Sequence, residues 1–177
     1  GQPYDAAKHG AISLVADARV ALQALSAELS GYRAAGADPA IRTGWLAAVD
    51  AHCAAPASGN ELPSDAQVIG AVQRATGEDA IAMCAAGTMP GALKLLWQPS
   101  AHGYHMEYGY SCMGYEIAAG WGCAMAQSGP GGLGGTPIVM LGDGTYMMMN
   151  SDIYSTVLSG HKMIVVVCDN GGYAVIS

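Results

Sequence analysis

Positive charge is scarce in this chain. Only seven of its 177 residues are Lys or Arg, against fourteen Asp and Glu, for a net charge of −7. No Lys/Arg cluster exists to neutralise phosphates along a backbone, so a nucleic-acid partner is not expected. No apolar run reaches the length of a membrane span and the N-terminus lacks a signal-peptide layout, so no membrane partner is expected either. C-x-x-C pairs are also missing. The five cysteines, Cys53, Cys84, Cys112, Cys123 and Cys168, are odd in number and several sit in apolar runs. They read as reduced, buried thiols of a cytoplasmic protein. Only 12% of residues are charged and 51% are hydrophobic, with much Ala, Gly and Met. Surface covered by other domains or subunits would explain that balance.

What the chain does have is concentrated between Gly142 and Asn170. Pro137-Ile138-Val139-Met140-Leu141 is a short apolar run ending at Gly142-Asp143-Gly144, the pattern of a buried strand running into a turn. Thr145 to Gly160 reads as one helix, with Met148, Met149, Ile153, Val157 and Leu158 on a recurring face and Gly160 as its stop. Met163 to Cys168 is a second buried strand, followed by Asp169-Asn170-Gly171-Gly172. Strand, helix, strand is a right-handed crossover between neighbouring parallel strands. It brings Asp143 and Asn170 together at the carboxyl edge of the sheet, where doubly wound folds hold ligands. The expected fold class is therefore α/β, a parallel sheet with helices on both faces.

Those residue types suit a hard cation facing a phosphate. Mg²⁺ takes about six oxygens and completes its shell with water and phosphate. Asp143 offers a carboxylate, Asn170 an amide oxygen and Gly172 a backbone carbonyl, because glycine lets the chain curl over the ion. Gly144 and Thr145 open the helix, so their N–H groups and the helix dipole would face an anion.

Further toward the N-terminus, Ile12 to Ala16 reads as a strand and Asp17 as the cap of a helix from Ala18 to Gly31. Residues 1–33 are read as the tail of a middle α/β domain, and 34–60, with Gly36, Pro39, Pro56 and Gly59, as a linker with a short helix around Trp45 to His52. Residues 61–177 are the main domain, opening with a helix capped by Ser64 and a first strand from Asp79 to Cys84. The turn Ala85-Ala86-Gly87-Thr88-Met89-Pro90-Gly91 then sits at the same sheet edge. Its backbone can approach a ligand closely, and the Thr88 hydroxyl can donate to phosphate. From Gly103 to Glu116 come four tyrosines, a His and two Glu among glycines, with no regular element evident, and then a helix from Ile117 to Ala126. His102, His105 and Glu107 are close in sequence, but nothing evident would fix a metal-ligand spacing for them. Gly129-Pro130-Gly131-Gly132-Leu133-Gly134 matches G-x-G-x-x-G yet precedes a strand. It reads as a flexible connection rather than a dinucleotide site. The chain lacks an initial methionine and stops just past the proposed metal loop, where a sheet would normally continue, so a C-terminally truncated fragment is expected.

Gly142-Asp143-Gly144, then 24 residues, then Asp169-Asn170 resembles the diphosphate-and-metal signature of thiamine-diphosphate enzymes. That signature usually ends in Asn-Asn. Its metal-binding second Asn is kept here as Asn170, and Asp169 replaces the first. The span from about Leu62 to Ser177 resembles the pyrophosphate-binding domain of the acetohydroxyacid-synthase-like group. Within it, the likeness runs to the trihydroxycyclohexanedione hydrolases of myo-inositol breakdown, through the Cys84–Gly91 turn, the Gly103–Glu116 run and Asp169-Asn170-Gly171-Gly172. Acetohydroxyacid synthases carry Gln and His where this chain has Thr88 and Met89.

The resemblance implies thiamine diphosphate and Mg²⁺, with Ala86, Gly87, Thr88 and Met89 facing the diphosphate opposite Gly144 and Thr145. It places Met113 as an apolar wedge beneath the bend between the cofactor's rings, with the Ser111 carbonyl and Met113 N–H bonding the aminopyrimidine. It implies hydrolytic cleavage of a ring C–C bond in a cyclic 1,2-diketone to a deoxy-glucuronic acid, with His105, Glu107 or Tyr110 as candidates for touching the substrate. No catalytic residue is expected in this fragment. The activating glutamate belongs to the N-terminal domain of a partner subunit, so the parent should be at least a homodimer and the fragment inactive alone. The alternatives are an acetolactate-synthase-like carboligase or decarboxylase, and a non-catalytic α/β binding module.

Overall fold

A computed structural model describes residues 6–55, 59 and 62–176. Pro56, Asn60, Glu61 and Ser177, which figure in the expected linker, domain start and chain end, lie outside the described residues. The chain divides into two compact units, Gly1–Ile41 and Arg42–Ser177.

In the first unit, α1 (Ala18–Glu28) begins where expected, with the Asp17 carboxylate accepting from Val20 N at 3.1 Å. Ile12 to Ala16 is irregular and exposed rather than a strand. A strand needs a neighbour to satisfy its backbone, and no described strand belongs to this unit. The segment expected as a linker carries a 16-residue helix, α2 (Pro39–Ala54). Asp38 accepts from Ala40 N at 2.9 Å and Pro39 stands at the first helical position. There the missing N–H is no loss, so Asp-Pro starts a helix instead of breaking one.

The second unit continues with α3 (Asp65–Ala75), opened by a reciprocal capping box between Ser64 and Gln67. Then follow β1 (Ala80–Cys84), α4 (Met89–Leu96), β2 (Tyr104–Met106), α5 (Tyr115–Ser128), β3 (Thr136–Gly142), α6 (Asp143–Met149), α7 (Ser151–Leu158) and β4 (Ile164–Cys168). The four strands are parallel in the order β2-β1-β3-β4. Side chains alternate across the sheet and both faces are covered, as a parallel sheet requires. Ile138 and Met140 pack with Ala82, Cys84, Ile69 of α3 and Leu93 of α4 on one face. Val139 and Leu141 pack with Ile117 of α5, Tyr146 of α6 and Ile153 of α7 on the other.

Three local expectations are corrected. Tyr104–Met106 is a strand, paired with Ala82–Cys84, within the run that showed no regular element. The expected helix from Thr145 to Gly160 is two helices meeting at Asn150, and Met148, Met149, Val157 and Leu158 are exposed while Ile153 packs inward. Beyond the break at Asn150, Ile153 packs toward the sheet and Thr156 is buried, and the Met and Val face outward. Finally, β4 is an edge strand of the described sheet and only half-buried, with Ile164 and Val167 exposed. Cys112 is exposed too, whereas burial pushes the Cys84 thiol up to about 11. Between α5 and β3, the glycine-rich connection is tied to its helix, since Gln127 Oε1 accepts from Leu133 N and Gly135 N. Among the described residues, no helix is long and apolar enough to cross a membrane.

Candidate functional site

The strand order makes the site. From β1 the chain crosses outward to β2, then returns past β1 to β3 and onward to β4. The turns after β1 and β3 therefore diverge at the carboxyl edge, leaving a crevice at the switch point. A cavity of about 580 Å³ lies there, within the range that holds a cofactor-sized ligand. The turn after β1 contributes Ala86, Gly87, Thr88 and Met89 to its lining. Gly142, Asp143, Gly144 and Thr145 come from the end of β3 and the start of α6, and Asp169, Asn170 and Gly172 follow β4. Ser111 and Met113 reach it from the loop before α5. Every residue expected to hold cofactor or metal is thus brought to one cavity.

At its carboxyl-edge end, three oxygen-bearing groups converge. The cavity-facing terminal atom of the Asn170 amide stands 2.7 Å from Gly172 O and 3.3 Å from Asp143 Oδ1. With nitrogen in that position the amide donates to both. With oxygen there, carboxylate, amide and carbonyl oxygens form the donor set of a hard cation, and only a cation offsets their mutual repulsion. Gly172 has φ 144°, a backbone region that a side chain would strain. Asp169 ties the same loop by accepting from Gly171 N at 2.9 Å. Asp143 is the first residue of α6, so the N–H groups of Gly144 and Thr145 lack partners within the helix. Because α6 has seven residues, these N–H groups matter more than the long-helix dipole that an unbroken helix would have supplied.

Met113 is 36% exposed and reaches the start of α6. A Cβ on Gly144 would lie 3.4 Å from Met113 Cε and 2.7 Å from Tyr173 Cε1. The absent side chain therefore lets a thioether and a ring close over the helix start. Ser111 sits at φ 51° in the left-handed region, a costly conformation held by its surroundings. What holds it is Glu107, whose two oxygens accept from Tyr110 N and Cys112 N, each at 3.1 Å. These backbone bonds, that from Cys112 first, keep the Glu107 carboxyl below its ordinary range. Glu107 is thus engaged in folding its own loop. His105 bonds the Tyr115 hydroxyl through Nε2 at 2.7 Å and stacks on its ring. Tyr110 is 91% exposed. None of these three lines the cavity.

Residues not singled out from sequence also contribute. Tyr173, Ala174, Val175 and Ile176 line the cavity after the Asp169–Gly172 loop, and Asp65 and Val68 line it from α3. Buried Glu116 joins two of the lining turns, accepting from Ala86 N and Gly114 N. Tyr173 had a signal of sorts, an aromatic directly after two glycines. Glu116 had none, since its partner at Ala86 is thirty residues away.

Residues 85–177 match the C-terminal TPP binding domain of thiamine pyrophosphate enzymes. Three relatives are named 3D-(3,5/4)-trihydroxycyclohexane-1,2-dione hydrolase. That of Geobacillus thermodenitrificans is 29% identical over 198 aligned residues, covering 98% of this chain and 30% of the relative. That of Shouchella clausii is 31% identical, covering 96% of this chain and 30% of the relative. That of Clostridium botulinum strain Eklund 17B is 39% identical over 110 residues, 62% of this chain and 16% of the relative. The chain therefore spans less than a third of the length of these relatives.

Proposed function

The chain belongs to the thiamine pyrophosphate enzymes through their C-terminal cofactor-binding domain, and from that premise we propose that it works within a thiamine-diphosphate- and Mg²⁺-dependent hydrolase. The substrate is trihydroxycyclohexane-1,2-dione, whose ring C–C bond is cleaved to give 5-deoxy-glucuronic acid in inositol breakdown. The observation that carries this is the convergence of Asp143, Asn170 and Gly172 in a cavity that Ser111 and Met113 also line. The relatives' printed names support the choice of substrate.

The donor chemistry fits the ion. Three oxygens leave about half of an octahedral shell for water and diphosphate oxygens, the usual state of protein-bound Mg²⁺. On the diphosphate, the Gly144 and Thr145 N–H groups act from one side, and the Ala86–Met89 turn with the Thr88 hydroxyl acts from the other. Met113 offers the large apolar surface that supports a bend between two rings, and the Ser111 carbonyl with the Met113 N–H orients the aminopyrimidine. When bound, the cofactor supplies the electron sink for breaking a bond beside a carbonyl. This chain's part is to bind, bend and orient it. His105 and Tyr110, both exposed and outside the cavity lining, are the residues proposed to touch substrate. Glu107 is committed to its loop and supports them indirectly.

In the proposed enzyme an activating carboxylate would come from a partner subunit, as the family resemblance implies; Glu116, the buried acid beside the cavity, has both oxygens occupied by backbone N–H groups. The working form is a cytoplasmic homodimer or larger, with the site at the subunit interface, and residues 1–33, 34–60 and 61–177 serve as middle-domain tail, linker and cofactor domain.

Assaying the intact protein with the cyclic dione and with pyruvate tests the substrate. Ring opening of the dione without acetolactate formation supports the hydrolase. Acetolactate formation instead would make the protein a carboligase. Activity on neither, together with retained assembly in Asp143→Ala, would point to a non-catalytic module.

A further inference from the structure

Two separate turns face the cavity at the switch point, Ala85–Thr88 after β1 and Ser111–Gly114 before α5. One side chain spans them. Glu116, in the first turn of α5 and 1% exposed, accepts from Ala86 N at 3.0 Å through one oxygen and from Gly114 N at 3.1 Å through the other. Ala86 lines the cavity, and Gly114 directly follows the lining Met113. A buried polar side chain is costly unless its hydrogen bonds are complete, and here both oxygens are used on backbone donors.

We propose that Glu116 is a positioning residue that clips the Ala86 turn to the Met113–Gly114 turn and so sets the gap across which a bound cofactor is held. This rests on the thiamine-diphosphate function proposed above. The side-chain chemistry is demanding. Gln would aim an NH₂ at one of two N–H donors. Asp is one methylene short and can reach one turn but not both. Glu107 completes the brace from the outer side through Tyr110 N and Cys112 N. The Ser111–Met113 turn is thereby held at both ends, by a half-buried carboxylate and a fully buried carboxyl group. Met113 itself does not need to be tightly packed, because its backbone is fixed by its neighbours.

The test uses the intact protein with Glu116→Gln, and two ligands in the presence of Mg²⁺. Thiamine diphosphate touches both turns, whereas inorganic pyrophosphate needs the metal loop and the Ala86 turn but not the Met113 turn. Calorimetric titration should show thiamine diphosphate weakened by about tenfold or more, the size expected for losing a buried hydrogen bond to a misplaced amide. Pyrophosphate affinity should fall by less than that of thiamine diphosphate, because it uses only one of the two clipped turns. Equal weakening of both ligands would mean general loss of structure, and no weakening of either would mean the clip sets nothing; each overturns the proposal.

Amide hydrogen exchange gives a readout independent of the cofactor. Ala86 and Gly114 N–H should both be protected in the wild type, and Glu116→Gln should lose protection at the amide that its NH₂ faces. Should that variant not fold, Glu116→Asp should lose protection at one of the two amides and show an intermediate loss of affinity; protection retained at both overturns the clip. A wild type that binds no thiamine diphosphate, yet whose variant loses amide protection as described, would refute the cofactor function while leaving the clip intact.

Discussion

The two walls of the cavity are built in opposite ways. On the β1 side, the strand is buried along its whole length, the turn that follows is held by a buried carboxyl group, and the facing loop is braced again by Glu107. On the β4 side, the strand is half-exposed, and Asp169, Asn170 and Gly171 stand in solvent, with short-range bonds inside the loop itself. The first wall gets its shape from the folded core, at the cost of fixing it. The second has few buried contacts to hold it, which places it toward the low-stability end of the fold. Such a loop gains most from an ion that ties Asp143, Asn170 and Gly172 together. On the proposed function, one wall would bend the cofactor and the other would be completed by a metal, different solutions within one cavity.

Substitutions can break that contrast. The largest effect on stability is expected at Leu141, wholly buried between β3 and the α5–α7 layer. Leu141→Ala should cost about 2–5 kcal/mol in chemical denaturation, the range for buried leucine truncation. On the metal wall, Asp143→Ala should lower Mg²⁺-dependent cofactor affinity by roughly a hundredfold or more, since losing a direct ligand should exceed the loss of an outer-shell partner. Its unfolding free energy without metal should move much less than that of Leu141→Ala. If the two variants were equally destabilised without metal, the walls would not differ as described.

Gly114→Ala probes the hinge of the rigid wall. Gly114 has φ 94°, and a Cβ there would overlap Met149 Cγ. A loss of about 1–3 kcal/mol is expected, the cost of a strained backbone position, with weaker cofactor binding and metal ligation retained. The smallest effect belongs to Glu107. Its carboxyl is held below the ordinary value of 4.5 by the backbone N–H groups of Cys112 and Tyr110. A depressed folded-state value means that its stabilisation is present above the unfolded value and is lost as pH falls through the lower folded one. Thermal melts of wild type and Glu107→Gln should differ by a constant small amount at neutral pH and converge below about pH 4.5. A gap that widens in acid would contradict the brace.

Much of this was legible in the chain itself, for physical reasons that can be named. β3 is a continuous apolar run because both its faces are buried, and its end at Gly-Asp-Gly marked the turn that brings Asp143 to the cavity. Ser64, and Asp17 before Ala18, announced helix starts that the structure has. Contacts between distant segments left no local trace. β2 is three residues of Tyr, His and Met, too short for an alternation to register, and exists because β1 supplies its partners. The break at Asn150 follows no Pro or Gly. It is set by which side chains the sheet can accept, so the expected apolar face of the helix pointed the wrong way. Glu107 looked like a substrate contact because carboxylates among tyrosines are chemically conspicuous. Its actual partners are backbone N–H groups, which every residue but proline carries and no pattern can single out.

The most direct test is titration of thiamine diphosphate into the intact wild-type protein and Asn170→Ala, with Mg²⁺ and with a chelator. The convergence of Asp143, Asn170 and Gly172 predicts tight binding to the wild type in Mg²⁺, its loss in chelator, and its loss in Asn170→Ala with the fold retained. Binding indifferent to both the metal and Asn170, or no binding to a well-folded wild type, would contradict the assignment of this cavity.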